Sequence, residues 1–365
     1  MKIICTRQNL VQGVSTSQRG VSAKSPMPIL SGILLSAKGN TLTLEATDLE
    51  MGIQCTIPCN VQEEGSIVLP AKYFGEIVRR LPDSPIQIES AEGENAIIHY
   101  GQSEIAINGF SADEFPVFSN PQGNTSFTMP EEELKEYLRQ VLFATSSDEN
   151  RPVFTGILLE ISNGILRLVA TDTHRLALRE ENLSNDLEDI SVIIPGKALN
   201  ELSRVIGDPD KNITISIGDN QVIFIMEDTK LISRLIEGQF PNYRQVIPQG
   251  YKTRIKLKTK EFFESVERAS LLARVGTQVV RLAIEEDKVI ISANTEVGRI
   301  HEEVPCYLSG ETMQIAFNAL YLIDALRSIG GESIHIDMSG PLSPGILRTV
   351  DSANYLSLVL PVRTS

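Results

Sequence analysis

Leu42–Gln54 reads LTLEATDLEMGIQ, and Leu166–Leu178 reads LRLVATDTHRLAL. In both, apolar and polar residues alternate up to Ala-Thr-Asp, and the alternation resumes after a short break. Alternation at period 2 marks a half-buried strand, and Asp in the break marks a turn, so each stretch predicts a hairpin. VIISANTEVGRIH, from Val289, is a weaker third copy. Ala46, Ala170 and Ala293 stand 124 and 123 residues apart.

Two further elements keep the same period. VLPAKYFGEIVRRLP from Val68, IIPGKALNELSRVIG from Ile193 and IAFNALYLIDALRSIG from Ile315 place Pro70, Pro195 and Asn318 at intervals of 125 and 123 residues. IICTRQNLVQGV, FTMPEEELKEYL and IKLKTKEFFESV each run a short strand into a helix, with Leu10, Leu134 and Phe262 in register at intervals of 124 and 128. Independent elements agreeing on one spacing identify a threefold internal repeat, with units at 1–122, 123–250 and 251–365. A period this long is no solenoid; each unit is a small domain with its own core.

Within a unit, stretches such as Gly32–Asp48 and Asn212–Asp228 alternate at period 2 and break at Gly, Asn and Asp, as antiparallel hairpins do. The exceptions carry helical spacing: Phe74, Ile77, Val78 and Leu81; Leu199, Leu202 and Val205; Tyr321, Leu322 and Leu326. The expected class is therefore α+β, three homologous domains of antiparallel sheet with two helices each.

Composition narrows the function. Hydrophobic residues make up 42% and aromatics only 5%, with no Trp, as in a globular protein packed with aliphatic side chains. The start, MKIICTRQNL, lacks the features of a secretory leader, and no apolar run is long enough to cross a bilayer, so a cytoplasmic protein without membrane contact is expected. Cys5, Cys55, Cys59 and Cys306 have no metal-ligand spacing and read as buried or half-buried thiols. A net charge of −14 excludes a generally basic surface, yet cations recur on the helices: Lys72, Arg79 and Arg80; Lys197 and Arg204; Lys260 and Arg268, with Arg7, Arg19 and Lys24 nearby. On one shared surface they would form a positive wall suited to phosphates, without base readout.

Asp172, His174 and Arg175 invite a catalytic reading. Asp48, the first-copy counterpart of Asp172, precedes Leu49 and Glu50 with no histidine, so the Ala-Thr-Asp element is expected to be an Asx-type turn. Catalysis would also need a nucleophile, a second acid and an oxyanion donor, which no pattern supplies. A metal-dependent phosphodiesterase built on this pair and a three-domain scaffold without a DNA role are the alternatives.

Taken together, PILSGILL (Pro28–Leu35), ATDTHRLA, EGQFPNYRQVIP (Glu237–Pro248), FNALYLIDAL (Phe317–Leu326) and LVLPVR (Leu358–Arg363) resemble the bacterial sliding clamps, the beta subunits of DNA polymerase III, along the whole chain. The resemblance implies a non-catalytic processivity factor without cofactors, built as a head-to-tail homodimer that closes a six-domain ring. Strands would lie outside and helices would face the hole. Twelve helices of about 10 Å diameter set side by side make a circle about 38 Å across at their axes, which leaves a hole wide enough for hydrated duplex DNA.

It further implies DNA-facing roles for Lys24, Lys72, Arg79 and Lys197. Ring closure would involve the strand near EIAINGF, Leu271, Leu272 and the strand containing Arg299. An apolar pocket for partner peptides would comprise Phe154, Thr171, His174, Arg175, Leu176, Pro241, Val246, Asn318, Tyr321, Leu342, Leu360, Pro361, Val362 and Arg363. The implied partners are duplex DNA, a second copy, the polymerase III alpha subunit, the clamp-loader complex, and other polymerases and repair proteins. Asp148, Pro152 and Val153 replace a polar and two aromatic DNA contacts of better-known members. Gln245 replaces a common arginine, and Thr277 stands where some members place a ring.

Overall fold

The computed structural model describes residues 1–22, 27–91, 95–116, 125–183, 187–274, 277–350 and 352–363. Among these, each repeat carries two longer helices: Arg7–Ser17 and Ala71–Arg80, Glu131–Val141 and Gly196–Ser203, Thr259–Ala273 and Ala319–Ser328. The second ends at Ser203, before Val205, so only Leu199 and Leu202 of that expected stripe are buried helical positions. The contacts divide the chain into two compact units, Met1–Leu134 with Glu201–Leu235, and Lys135–Asn200 with Ile236–Ser365.

In the first unit, a five-stranded sheet runs in the order Asn60–Glu63, Lys2–Thr6, Pro85–Ala91, Asn95–Tyr100, Ser103–Asn108. An eight-stranded sheet joins the first repeat to part of the second: Thr229–Arg234 pairs antiparallel with Met51–Pro58, setting Leu231 opposite Ile53. Helix Arg7–Ser17 begins at Thr6, whose Oγ1 accepts from the Asn9 amide at 3.2 Å, the capping arrangement expected of Thr. It then lies so close to the sheet that a Cβ at Gly13 would meet Leu44 Cδ1 at 2.7 Å. Leu10, Val14, Leu42, Leu44, Phe74 and Val78 fill the core beneath.

In the second unit, a nine-stranded sheet is joined by Arg175–Asn182 against Tyr355–Val359, with Arg175 opposite Val359 and Leu176 opposite Leu358. A four-stranded sheet runs Gly298–Pro305, Lys288–Thr295, Val279–Ile284, Met313–Asn318. Leu158, Val169, Leu176, Ile193, Tyr243 and Leu358 belong to one core cluster. Burying several such side chains, at about 25 cal/mol per Å² of apolar area, locks the shared sheet in one register, because a one-residue slip would turn each of them out.

All four cysteines are buried and unpaired, and burial pushes the Cys5 thiol up to about 12 and Cys306 up to about 11. No helix among the described residues is long and apolar enough to cross a membrane.

Candidate functional site

The two Ala-Thr-Asp turns fold alike. Asp48 Oδ1 accepts from the amides of Glu50 and Met51 at 3.0 and 2.7 Å, and Asp172 Oδ1 accepts from those of His174 and Arg175 at 2.9 and 3.0 Å. The preceding threonine hydroxyls donate across the turn, Thr47 to Met51 O at 2.9 Å and Thr171 to Arg175 O at 2.7 Å. Leu49 and Thr173 take the left-handed conformation, φ 76° and 79°. Asp48 and Asp172 are thus equivalent turn-forming acceptors, as the repeat predicts. Among the described residues no three metal-ligating side chains gather.

What the second copy adds is a stack. Arg175 is held by two carboxylates, Nε to Asp172 Oδ2 at 2.9 Å and Nη1 to Asp324 Oδ2 at 2.6 Å. Its guanidinium carbon lies 4.7 Å from the centre of the Tyr321 ring and 5.3 Å from that of Phe143. The His174 ring stacks on Tyr321 at 6.1 Å with 20° between planes. Clamped between acids and rings, Arg175 is a fixed wall rather than a mobile charge.

The C-terminal segment closes one side. The Leu360 amide donates to His174 O at 2.9 Å and the Val362 amide to Ala316 O at 2.8 Å, while Pro361 bridges to Phe317. Leu342, Val362 and Arg363 line an open groove of about 920 Å³ together with Arg281, Gln314 and Ala316. Leu342 is 64% exposed, Val246 52% and Leu360 37%, so three large apolar side chains of the expected pocket stand uncovered. Leu176 is buried in the core cluster that also contains Tyr243.

The segment bearing Pro241 and Val246 is pinned through Tyr243 and Arg244. Arg244 donates to Glu160 Oε1 at 2.5 Å, and the Tyr243 hydroxyl reaches Glu160 Oε2 at 3.4 Å. Burial pushes the Tyr243 phenol up to about 12; burial also acts to raise Glu160, but the Arg244 guanidinium outweighs it and holds the carboxyl below its usual range.

Of the expected pocket residues, Leu342, Val362 and Arg363 line the groove, His174, Arg175 and Tyr321 share the stack, and Asn318 and Phe154 are engaged in other contacts. Asn318 Oδ1 caps helix Ala319–Ser328 by accepting from the Leu320 amide at 2.9 Å, which Pro70 and Pro195 cannot do in the other copies. Phe154 lies beneath the Arg151 guanidinium at 5.5 Å, and Arg151 also pairs with Asp148 at 2.8 Å. Sequence reasoning missed Asp324 and Phe143. Asp324 follows Tyr321 by one helical turn, so the helical spacing was a usable signal.

Of the cations on the helices, Lys72 and Lys197 are exposed, and Arg79 is exposed with Nη2 donating to Gln18 Oε1 at 2.7 Å. Lys24 lies outside the described residues. Several others are matched by acids: Arg19 and Arg204 both meet Glu201, at 3.1 and 3.0 Å, and Arg268 meets Glu302 at 2.6 Å. The helical charge is weaker than a count of basic residues suggests.

Comparison with known proteins completes the assignment. Three family models match in order: DNA polymerase III beta subunit, N-terminal domain, over residues 1–119, central domain over 128–242, and C-terminal domain over 244–363. The chain is 38% identical over 379 residues to the beta sliding clamp of Halalkalibacterium halodurans and 35% over 377 residues to that of Bacillus subtilis, covering 100% of both chains each time. Its structure is similar to the DNA polymerase sliding clamp from Bacillus subtilis, TM-score 0.96 at 35% identity, and to the polymerase III beta subunit from Thermotoga maritima, TM-score 0.93 at 30%, each over 100% of both chains. The chain therefore belongs to the bacterial beta sliding clamp family, the non-catalytic processivity subunits of DNA polymerase III.

Proposed function

We propose that two copies close head to tail into a six-domain ring around duplex DNA and dock partner peptides at the groove around His174. The observation that carries the ring is a pair of unused strand edges. Met51–Pro58 and Arg175–Asn182, the strands that follow the two Ala-Thr-Asp turns, each pair with the last strand of the next repeat, Thr229–Arg234 and Tyr355–Val359. Their third equivalent, Gly298–Pro305, is outermost in its sheet, and so is the last strand of the first repeat, Ser103–Asn108. Three repeats at 1–122, 123–250 and 251–365 use two junctions of one kind, and the third is satisfied by another copy. Leu271 and Val297, each 62% exposed, would be covered there, with Leu272 beside them.

Lys72, Arg79 and Lys197, with Lys24, supply attraction to phosphates, and the pairing of neighbouring arginines with carboxylates keeps that attraction weak. Weak, sequence-independent contact permits sliding, while closure of the ring prevents escape. The groove combines exposed aliphatic side chains with a few fixed polar groups, as a peptide pocket requires. Its partners are the polymerase III alpha subunit, the clamp-loader complex, and other polymerases and repair proteins.

The test loads the protein on nicked circular DNA and then linearises it. Retention on circles with loss from linear molecules is expected; equal retention on both would end the topological reading.

A further inference from the structure

On the nine-stranded sheet, Ile255, Leu257, Ile334, Ile336 and Leu347 are buried, so their neighbours along each strand stand on the opposite face. There Tyr307, Lys256, His335 and Arg348 lie opposite one another across four adjacent strands, Tyr307–Gly310, Thr253–Lys258, Ser333–Met338 and Gly345–Thr349. Tyr307 is on the outermost strand and 80% exposed, and Lys256 beside it is exposed. In the next row Arg254 donates to both carboxylate oxygens of Asp337, at 2.5 and 2.8 Å, and lies 4.0 Å from the centre of the half-exposed Tyr251 ring. Lys256 and Arg348 have no ion pair among the described residues.

The other two copies lack this row. Its counterpart in the first repeat is Asn60, Ile4, Gln87 and His99, and in the second Thr128, Thr214 and Ile225. Residues 253–260 read TRIKLKTK, four cations and no acid, in a chain whose acids outnumber Lys and Arg by 47 to 33. The equivalent stretches, MKIICTRQ at 1–8 and TSFTMPEE at 125–132, carry two cations and none. Burial, then the charges of Arg254 and Lys256, hold the His335 imidazole below its usual range, with Asp337 acting the other way.

Ring closure leaves the row open. In the first junction the ladder with Thr229–Arg234 runs from Met51 to Cys55, and Asn60–Glu63 pairs instead with Lys2–Thr6. Met51 stands five residues after Ala46, as Gly298 does after Ala293, so the matching ladder takes residues 298–302 and stops five short of Tyr307. None of the four residues lines the groove that contains Leu342 and Val362.

We infer that this face binds single-stranded DNA. The cations attract phosphates regardless of sequence, and an exposed tyrosine ring stacks on an unpaired base, whereas a duplex keeps its bases stacked inside. Two tyrosines beside the cations favour a nucleic acid over an acidic peptide, which would need the charges alone. Membership of a DNA polymerase subunit family makes DNA the strand to expect. The row crosses three strand intervals of about 4.8 Å, about 14 Å in all, room for a few nucleotides lying across the strands.

The test measures binding of the full-length protein to a fluorescent oligothymidine of about 12 nucleotides, within the range one such platform covers, by anisotropy at low salt. Tyr307→Ala should weaken binding at least about fivefold, the lower end for loss of one stacked base, and Tyr307→Phe should keep it. Lys256→Ser/Arg348→Ser should weaken it too and lower the slope of log K against log salt by about 1.4, the share of two phosphate contacts on a single strand. An abasic strand of equal length should bind less tightly, and a polyglutamate peptide should not displace oligothymidine. Tyr307→Ala should be retained on circular duplex DNA as the wild type is, which separates this face from the ring. Absence of binding, binding that neither the tyrosine nor the double variant weakens, or an abasic strand that binds as well overturns the inference. A polyglutamate that binds more tightly than oligothymidine, and is lost in the double variant, makes an acidic peptide the occupant and also overturns it. Loss of retention in Tyr307→Ala places the tyrosine in ring closure, with the same result.

Discussion

Asp48 and Asp172 occupy the same turn in two copies of one repeat, with the same two amides on one carboxylate oxygen and the same threonine across the bend. They differ in what the bend displays: Leu49 and Glu50 in the first, Thr173 and His174 in the second, with Arg175 drawn onto Tyr321 and Phe143. The first copy is an internal control. Whatever both turns share is architecture, and what the second alone carries is available for recognition.

The largest effect should come from removing residues 360–365: the Leu360 amide donates to His174 O as the Arg234 amide does to Glu50 O at the first turn, but only the second turn has Pro361, Val362 and Arg363 continuing along the groove. Polymerase binding should fall by more than about a hundredfold, the scale of losing several central contacts. Sedimentation should still find a dimer, and binding at wild-type strength would show that the groove is elsewhere.

Asp48→Ala and Asp172→Ala should each destabilise by about 1–3 kcal/mol in urea titration, since each strands two turn amides. Only Asp172→Ala should also weaken peptide binding, because Asp172 holds Arg175 as well. Equal loss of binding in both variants would dissolve the distinction.

His174→Ala removes one stacked ring from Tyr321, worth about 0.5–1.5 kcal/mol, so peptide affinity should drop several-fold by calorimetry. Glu50→Ala, at the matching position, should leave it unchanged. The smallest effect is shared: Leu49→Gly and Thr173→Gly relieve a left-handed backbone and should each raise stability by about 1 kcal/mol, seen as a slightly higher melting temperature.

The repeat, the helices and the turn at Asp172 were legible because each depends on residues close in sequence. Period 2, period 3.6 and a side chain bonding its own turn are local physics. The pairing of Thr229–Arg234 with Met51–Pro58 was not legible, since any alternating strand could pair with any other and only the packed structure chooses. The same holds for the groove. Tyr321 and His174 enter the pocket through family resemblance; helical spacing puts Asp324 on the Tyr321 face, but its pairing with Arg175, 149 residues away, depends on how helix and strand pack. Charge is legible as a list of cations but not as a field: Arg19 counts toward the expected positive wall, and Glu201, 182 residues away, pairs with it in the fold.

Residues 128–242 match a single family domain, yet that span is divided between the two compact units, 201–235 falling in one and 135–200 in the other. Inheritance and cohesion therefore follow different borders in this molecule. A protease, or a pulling force, should part the polypeptide through the middle of an ancestral copy, and an excised central domain would carry two raw seams and dissolve or aggregate where its parent does not.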